Sequence, residues 1–391
     1  MMAQWHALRE ELVSQVRTWG ISEVVTGALR AVPRHVFLPD LPAETVYQDD
    51  AIVTKRDAGG QPISSSSQPA IMALMLDQLG VEPGQRVLEI GTGTGYNAAL
   101  LAHLVGPEGR VVSVDIDPEL VTLAGEHLAV AGHPEVRLVC ADGSGGFPPG
   151  APYDRVIATV GVWDLAPAWL EQLGPGGRLV APLDLRGVQR SVAMERADGH
   201  WTSRSVLPCG FMRMRGPFAG PETTLVLDRE SDLTISLPEA SEIGDVLAAL
   251  DGPVVELSTE ISVGLSQLLD GLSLWLAVHE PRWCTMSEAR PGWLASPPLD
   301  LTGFRMAVGI VERDNLCMLE PSPDGTLIVR GHGPDRLRLA GELVAHVQAW
   351  DMADRPMTAG LRIDAYLGDP PHGGLLLHKR HTTLALSWQD S

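Results

Sequence analysis

Hydrophobic positions along the chain change their spacing several times, and each change predicts a new element. From Leu8 to about Arg30 they recur at helical spacing, and the proline-containing stretch 31–34 ends that predicted helix. A serine-rich segment from Gly59 to Pro69 then predicts a polar loop. The apolar run from Ala70 to Leu79 predicts a helix, with Pro69 well placed for its first turn.

Short apolar runs and helical patterns alternate through the next hundred residues. The predicted strands are Val87–Ile90, Gly109–Asp115, Val136–Ala141, Tyr153–Thr159 and Gly177–Pro182, and the predicted helices are Asn97–Val105, Pro118–Ala131 and Ala166–Leu173. Apolar strands that alternate with helices favour a mostly parallel sheet covered on both faces. The predicted fold class is therefore α/β, with a Rossmann-like arrangement.

Beyond about Gly216 the pattern becomes mixed. A long apolar helix is predicted from about Ile261 to Val278, with Trp275 in the core, and a second helix from Asp335 to Trp350. The predicted strands of this part are Met306–Glu312, Thr326–Arg330, Leu361–Leu367 and Thr382–Trp388. We expect two domains, residues 1–220 and a separate α+β domain over residues 221–391.

The strand Val87–Ile90 runs into a glycine-rich turn, which is the strongest chemical signal in the sequence. Glycines at 91, 93 and 95 allow positive φ and a close approach of the backbone to a ligand, and the following helix offers free N–H groups. The dinucleotide fingerprint is G-x-G-x-x-G, whereas this turn is G-x-G-x-G with Glu89 two positions ahead. That form suits S-adenosylmethionine better, and an NAD-dependent dehydrogenase is the rival interpretation.

Two acidic residues follow the next two predicted strands. Asp115 ends a strand about 20 residues past the glycines, where a ligand of the ribose hydroxyls is expected. Asp142 and Gly143 follow the third strand, which places a carboxylate beside the expected adenine pocket. Three successive strands thus deliver polar groups to one edge of the predicted sheet.

Composition favours a cytoplasmic enzyme. Of the 391 residues 45% are hydrophobic, no apolar run is long enough to span a membrane, and the stretch Met1 to Gly20 is amphipathic rather than signal-like. The four cysteines form no C-x-x-C pair, which argues against a zinc site and against a disulfide framework. We therefore expect no metal and no membrane partner.

A net charge of −20 makes nucleic acid an unsuitable partner. Two local features remain open. His378 and His381 suggest a metal site, but no third ligand is evident and a solvated basic loop is favoured. Arg213 and Arg215 have either a substrate carboxylate or phosphate as partner or an ordinary surface role.

A series of motifs over the first 216 residues resembles the protein-L-isoaspartate O-methyltransferases. The motifs occur in one order, namely Val32–Phe37, Val46–Asp50, Gly60–Ile63, Ser67–Pro69, Val87–Tyr96, Ala141–Gly143, Ala151–Asp154, Leu173–Leu179 and Phe211–Gly216. The resemblance implies the class I methyltransferase form of the Rossmann-like fold, with S-adenosylmethionine as the cofactor. It also implies cofactor contacts from Gln61, Ile63, Ser64, Glu89, Gly91, Thr92, Gly93, Asp115, Ile116, Asp142 and Gly143.

The serine-rich segment departs from the family pattern. The family usually has Thr-Ile-Ser before a residue and proline, whereas here Pro62 takes the threonine position and two extra serines precede Gln68. Counting back from Gln68 selects Ser67 and counting from Gln61 selects Ser64. We assign Ser67 to the substrate as the catalytic residue and Ser64 to the cofactor side; the alternative is a flexible polar loop with one functional serine at most.

No acid–base constellation is needed for the implied reaction. An unperturbed aspartate has a pKa of about 3.9 and is already ionised at neutral pH. Methylating that carboxylate is an in-line displacement, so the protein has mainly to position the two reactants.

The C-terminal extension leads to the functional hypothesis. Long relatives with such an extension resemble the enzymes of ribosomally made peptides, of the lanthipeptide and graspetide types, which methylate one aspartate of a precursor so that the ester closes to an aspartimide or opens to isoaspartate. We therefore expect an O-methyltransferase acting on an aspartyl carboxylate in such a peptide, with residues 221–391 recognising it. The alternative is a repair enzyme for isoaspartate in damaged proteins; a cofactor-binding module without catalysis is a third possibility.

Overall fold

The computed structural model describes residues 2–239, 241–301, 303–368, 370 and 374–389, which form two units. The first unit contains residues 1–183, 189–220 and 362–385, and the second contains residues 184–188, 221–361 and 386–391. The chain passes from one unit to the other after residue 220, as the predicted division does, but residues 362–385 return to the first unit. That return depends on strand pairing between distant parts of the chain, which no local pattern reveals.

The first unit is built around a ten-stranded sheet and a separate hairpin. Its strands are β1 (Ile52–Arg56), β2 (Pro62–Ser66), β3 (Arg86–Ile90), β4 (Arg110–Asp115), β5 (Arg137–Cys140), β6 (Tyr153–Ala158), β7 (Leu173–Asp184), β8 (Gln189–Ala197), β9 (His200–Pro208), β18 (Leu361–Tyr366), β19 (Leu375–His378) and β20 (Thr383–Trp388). The sheet order is β19-β20-β18-β9-β8-β7-β6-β3-β4-β5, and β7-β6-β3-β4-β5 pair in parallel. The predicted Rossmann-like α/β class is confirmed. The order reverses beside β3, which is where doubly wound sheets bind their ligands.

Seven helices belong to the described part of the first unit. They are α1 (Met2–Arg17), α2 (Glu23–Ala31), α3 (Ala43–Val46), α4 (Pro69–Leu79), α5 (Tyr96–Val105), α6 (Pro118–Ala131) and α7 (Pro167–Gln172). The prediction of one continuous helical region over residues 8–30 was wrong, because the structure has two helices there. Gly20 takes φ +80° and the Ser22 hydroxyl caps the start of α2, so the chain turns between α1 and α2.

The serine-rich segment was predicted to be a loop, but its middle part forms a strand. Pro62–Ser66 forms strand β2, which pairs antiparallel with β1 and brings Ile52 opposite Ser66. The β-branched residues of β1 stabilise this hairpin, but their pairing with a serine run has no signature in either segment alone. Ser64, Ser65 and Ser66 therefore lie on an extended strand with alternating burial, and Ser67 directly follows it.

The second unit is an antiparallel sheet with three helices in its described part. Its strands are β10 (Thr223–Asp228), β11 (Leu233–Leu237), β12 (Val255–Ser262), β13 (Trp283–Glu288), β14 (Leu299–Leu301), β15 (Phe304–Glu312), β16 (Asn315–Pro321) and β17 (Thr326–His332), and its helices are α8 (Val246–Leu250), α9 (Ser273–His279) and α10 (Arg336–Met352). The sheet order is β10-β11-β13-β15-β16-β17-β12, with β14 beside β15. The predicted α+β character of this part is confirmed.

One long helix from Ile261 to Val278 was a wrong prediction. Residues up to Ser262 belong to β12, whose side chains alternate between exposed and buried, and a π-helical turn over Gln267–Leu272 leads into α9. The period-two pattern of β12 begins at Val255, so a window starting at residue 261 misses it. Trp275, expected in the core, is partly buried and stacks on His279 with 3.8 Å between ring centroids.

Candidate active site

The glycine turn after β3 has the positive-φ backbone that its glycines predict. Gly91, Gly93 and Gly95 have φ values of +101°, +52° and +88°, a region that L side chains rarely adopt. The N–H of Gly91 donates to the carbonyl of Val114 at 2.8 Å, which joins the turn to β4. The backbone is thereby fixed at the carboxyl end of two parallel strands.

The surroundings of Gly91 leave no room for a larger side chain, whereas those of Gly93 do. A Cβ at Gly91 would lie 2.8 Å from Thr159 Oγ1 and 2.9 Å from Val160 Cγ1. A Cβ at Gly93 would lie 3.7 Å from the carbonyl oxygen of Ser65. Bare backbone therefore faces the space between the turn and the serine strand β2.

Asp115 ends β4 beside this turn and is 9% exposed. Its Oδ2 accepts the N–H of Gly93 at 3.0 Å, and its Oδ1 accepts the N–H of Asp117 at 3.0 Å. Both bonds fix the carboxylate at the edge where a ribose is expected. The next residue, Ile116, is 38% exposed and offers an apolar surface to the same cavity.

Beneath the turn lies a buried polar network centred on Glu89, which is fully buried. Asn97 Nδ2 donates to Glu89 Oε1 at 2.7 Å, and Ser113 Oγ donates to Glu89 Oε2 at 2.5 Å. The Ser113 hydroxyl is also 2.7 Å from Thr92 Oγ1. Burial raises the pKa of Glu89 to about 7, with the bonds from Ser113 and Asn97 opposing the shift.

Asn97 has one polar atom without a partner among the described residues. Its Oδ1 is buried and accepts no hydrogen bond, while the residue is 6% exposed and lines the cavity. An unsatisfied buried acceptor at a cavity wall suits a ligand that carries N–H groups, such as the ammonium of S-adenosylmethionine. Together with the open backbone at Gly93 and the fixed carboxylate of Asp115, it gives a site whose residues fit this cofactor.

Arg34 fixes the serine strand from the far side, although it is fully buried. Its Nη1 donates to the carbonyls of Val46 and Gln48 at 3.0 and 3.1 Å. Its Nη2 donates to Ser66 Oγ at 3.3 Å and to the carbonyl of Ser67 at 3.1 Å. Burial lowers the pKa of Arg34. Neutral oxygens rather than a carboxylate thus hold this guanidinium in the described structure.

Two cavities meet at the end of the serine strand. The larger one encloses about 890 Å³ including its open mouth, and residues of the glycine turn and of β4 line it. The smaller one encloses about 520 Å³ on the same measure and has the apolar lining residues Ala51, Val53 and Ile71. The residues that line both cavities are Ser65, Ser67, Phe211 and Met212. A small group transferred from one cavity to the other would pass these four residues.

The structure brings most of the predicted site residues to the larger cavity. Those that line it are Ile63, Ser64, Ser67, Gly91, Thr92, Gly93, Asp115, Ile116 and Gly143. Three others lie elsewhere. Glu89 is below the turn. Asp142 caps the short helical turn that begins at Gly143, because its side chain accepts the N–H of Ser144. Gln61 is exposed in the β1–β2 turn, and its backbone N–H donates to Asp57.

Several lining residues escaped the sequence interpretation. Tyr96, Asn97, Thr159 and Val160 line the larger cavity, and so does the segment 211–215. Thr159 is the last residue of the predicted strand 153–159 and Val160 follows it, and that position was the available signal for them. Arg213 and Arg215, for which two roles were open, both lie on the cavity wall.

Residues 378–382 do not form a metal site with any third ligand in the described ranges. Instead, the backbone N–H of His381 donates to Asp164 Oδ2 and the hydroxyl of Thr382 donates to Asp164 Oδ1, both at 2.6 Å. The His381 ring also stacks on Phe218 with centroids 5.6 Å apart.

Comparison with known proteins identifies the family. Residues 7–216 match the family described as protein-L-isoaspartate(D-aspartate) O-methyltransferase (PCMT), which is more than half of the chain. The chain belongs to this family. The resemblance in the sequence is thus confirmed, and so is S-adenosylmethionine as the cofactor of a carboxyl O-methyltransferase.

Relatives and a solved structure extend the likeness beyond the matched region. A protein-L-isoaspartate O-methyltransferase from Thermotoga maritima is 34% identical over 255 residues, 64% of this chain and 78% of the relative. One from Methanopyrus kandleri is 38% identical over 221 residues, 55% of this chain and 95% of the relative. A solved structure titled protein-L-isoaspartate O-methyltransferase shares the fold over 98% of this chain and all of its own, with 23% identity and a TM-score of 0.54.

Among the described residues, no helix is both long and apolar enough to cross a membrane. A cytoplasmic location stays a prediction.

Proposed function

We propose that this methyltransferase of the PCMT family transfers a methyl group to the free carboxylate of isoaspartyl residues in proteins. The observation that carries the proposal is the junction of two cavities at Ser65, Ser67, Phe211 and Met212. One cavity has the residues suited to the cofactor, and the other has the apolar walls suited to a polypeptide. This was the alternative that the sequence offered.

S-adenosylmethionine, when bound, supplies an electrophilic methyl group. The residues assigned to it are Ile63, Ser64, Gly91, Thr92, Gly93, Asp115, Ile116 and Gly143, together with Asn97. Glu89 acts through Asn97, Ser113 and Thr92 rather than by contact, because it is fully buried. Asp142 and Gln61 have weaker claims, since neither lines the cavity.

The acceptor side requires orientation rather than proton transfer. The carboxylate is ionised at neutral pH, so a new C–O bond forms as the C–S bond breaks and no proton moves. Ser67 is assigned to hold that carboxylate at the junction of the cavities. Arg34 is assigned to fix the backbone of Ser67 through its carbonyl. The backbone amide nitrogen of the following residue can then attack the ester and displace methanol. This gives a five-membered imide, which water hydrolyses.

The relatives favour isoaspartate in proteins over a dedicated peptide. Each relative described above has protein-L-isoaspartate O-methyltransferase as its name, and the Thermotoga maritima alignment is longer than the matched family region. The solved structure with the same title has a fold that spans nearly the whole chain, extension included. An extension of this kind therefore does not by itself indicate ribosomal peptide biosynthesis, and the expectation of a lanthipeptide or graspetide precursor has no support from these relatives.

The proposal is tested by following repair. A peptide with one isoaspartate is incubated with the enzyme and S-adenosylmethionine, and its isomers are separated over many turnovers. Conversion of the isoaspartyl peptide to the aspartyl peptide, with methanol released, is the expected result. A stable isoaspartyl peptide, beside an aspartyl peptide that becomes methylated, would instead favour peptide maturation. The Ser67→Ala variant serves as the control for enzyme-dependent conversion.

A further inference from the structure

The turn between β19 and β20 bonds the chain just beyond the wall of the larger cavity. Arg380 Nη1 donates to the carbonyl of Pro217 at 2.9 Å. Pro217 is two residues beyond Arg215, a lining residue of the cavity, which is at most about 7 Å of extended chain. The C-terminal segment thus adds a cation beside a wall that already holds Arg213 and Arg215.

Trp163 provides the surface on which this turn lies. The Lys379 ammonium is 5.3 Å and the Arg380 guanidinium 5.8 Å from the centre of the Trp163 ring system. Trp163 in turn follows Val160, another lining residue, by three positions. Cation–π contacts of this geometry help to orient the two side chains.

A buried acid fixes the turn in place. Asp164 is fully buried, and both of its oxygens accept hydrogen bonds at 2.6 Å, from the His381 N–H and the Thr382 hydroxyl. Charge-assisted bonds of this length to a buried carboxylate are strong. The position of the basic turn is therefore set by the fold of the first unit rather than by flexible side chains.

The charges of this region contrast with those of the whole protein. We call Arg213, Arg215, Lys379 and Arg380 the basic rim. The chain has a net charge of −20 and contains two lysines, of which Lys379 is one. Arg215 has an acidic neighbour in Asp117 at 3.5 Å, but Asp117 is bound more closely by Lys55 at 2.8 Å. Arg380 is exposed and has no ion pair among the described residues. The rim gathers four basic side chains on a protein whose net charge of −20 repels acidic chains.

We infer that the basic rim binds an acidic segment of the acceptor polypeptide next to the residue that is methylated. The inference rests on the proposed function and specifies its substrate, since it predicts acceptors with Glu or Asp beside the reacting isoaspartate. Attraction at the rim increases the encounter rate and orients the chain, while repulsion elsewhere disfavours other modes of binding. The residues of the C-terminal extension then contribute to substrate choice through a turn that belongs to the methyltransferase unit.

Two isoaspartyl peptides that differ only in flanking residues test this inference. One carries three glutamates around the isoaspartate and the other carries three glutamines, and kcat/KM is measured for each at low and high salt. We expect the glutamate peptide to be preferred about tenfold at low salt, mainly through a lower KM, and we expect the preference to shrink at high salt.

Substitutions in the full-length enzyme localise the effect. Arg380→Gln should reduce the preference and Arg380→Glu should abolish it. Arg110→Ala is the matched control: Arg110 also donates to backbone carbonyls, of Pro107 and Gly109, and it lies at the amino end of β4, opposite the cavity. Binding of S-adenosylhomocysteine, measured by calorimetry, checks that each variant is folded.

The outcomes separate this inference from the proposed function. Equal kcat/KM for the two peptides, or a preference that Arg380→Glu leaves intact, would contradict the proposed role of the basic rim. Neither result would affect the methyltransferase assignment. Failure to methylate either peptide, with normal S-adenosylhomocysteine binding, would contradict both.

Discussion

Arg34 Nη2 donates to the backbone carbonyl of Ser67 at 3.1 Å, across 33 positions of sequence. The same guanidinium donates to the carbonyls of Val46, at the end of α3, and of Gln48 and Asp50 beyond it, so one buried side chain joins three segments around the serine strand. The serine assigned to the acceptor is thus positioned by a residue from the start of the chain. A guanidinium can do this because it presents five donors in a rigid plane.

Arg34→Lys should separate acceptor chemistry from cofactor binding. A single ammonium cannot reach all of these carbonyls, so the end of the serine strand should lose its fixed position. We expect the free energy of unfolding to fall by about 2–4 kcal/mol and kcat to fall at least tenfold. S-adenosylhomocysteine affinity should change much less, because the glycine turn and Asp115 are untouched. Calorimetry and steady-state kinetics together measure the difference. A parallel loss of affinity and kcat would mean that Arg34 supports the fold alone.

The serines themselves are expected to divide their roles. Ser67 lines both cavities, whereas Ser64 lines the larger one and accepts a hydrogen bond from Thr54 Oγ1 at 3.1 Å. Ser67→Ala should lower kcat/KM for the peptide about tenfold or more, with S-adenosylhomocysteine affinity within about twofold of the wild type. Ser64→Ala should instead mainly reduce the affinity for S-adenosylhomocysteine. Equal effects of the two substitutions on both quantities would contradict the assignment.

Gly93→Ala tests whether the space above the turn belongs to a ligand. The added Cβ would lie 3.7 Å from the nearest protein atom, an ordinary contact, so the main cost in the protein is the positive φ, about 1–2 kcal/mol. Gly84→Ala is the matched control, since Gly84 has φ +84° and no atom within 4 Å of the new Cβ. We expect similar losses of stability from both variants, and a loss of S-adenosylhomocysteine binding from Gly93→Ala only. Normal binding by Gly93→Ala would exclude this part of the turn from the cofactor site.

Glu89 should make stability depend on pH. Its pKa is raised to about 7 in the folded protein from 4.5 in the unfolded chain, so the folded state binds more protons between those values. The free energy of unfolding should therefore decrease as pH rises from about 4.5 through 7, by roughly 3 kcal/mol for this group. Glu89→Gln removes the charge, can still accept the Asn97 N–H at its amide oxygen and can donate its amide N–H to Ser113 Oγ, so it should lack this component. Denaturant unfolding of both proteins at several pH values gives the difference, and parallel curves would show that Glu89 does not titrate in this range.

Local sequence patterns predicted the central part of the fold. The βαβ alternation gave α6 at the observed bounds, and the glycine spacing located the turn at which the structure opens its larger cavity. Both features can be predicted from short stretches of sequence, because a helix cap, a strand and a glycine turn are determined by neighbouring residues. Asp115 followed from its position after such a strand.

Long-range contacts were beyond the reach of those patterns. Arg34 was noted only as part of a motif, and its bond to Ser67 depends on how α3 and the serine strand pack. The pairing of β1 with β2 turned an expected loop into a strand. The return of residues 362–385 to the first unit, where Thr382 bonds Asp164, links positions 218 apart. Such contacts are products of tertiary packing, which a single sequence does not display.

The selectivity of methyl transfer tests the central claim most directly. Equal amounts of two peptides of one sequence, with aspartate in one and isoaspartate in the other, are mixed with the enzyme and limiting S-adenosylmethionine, and the methyl esters are quantified by mass spectrometry after chromatographic separation. The assignment predicts that the isoaspartyl peptide carries nearly all of the added methyl groups. Equal labelling of the two peptides, or methylation of the aspartyl peptide alone, would contradict it.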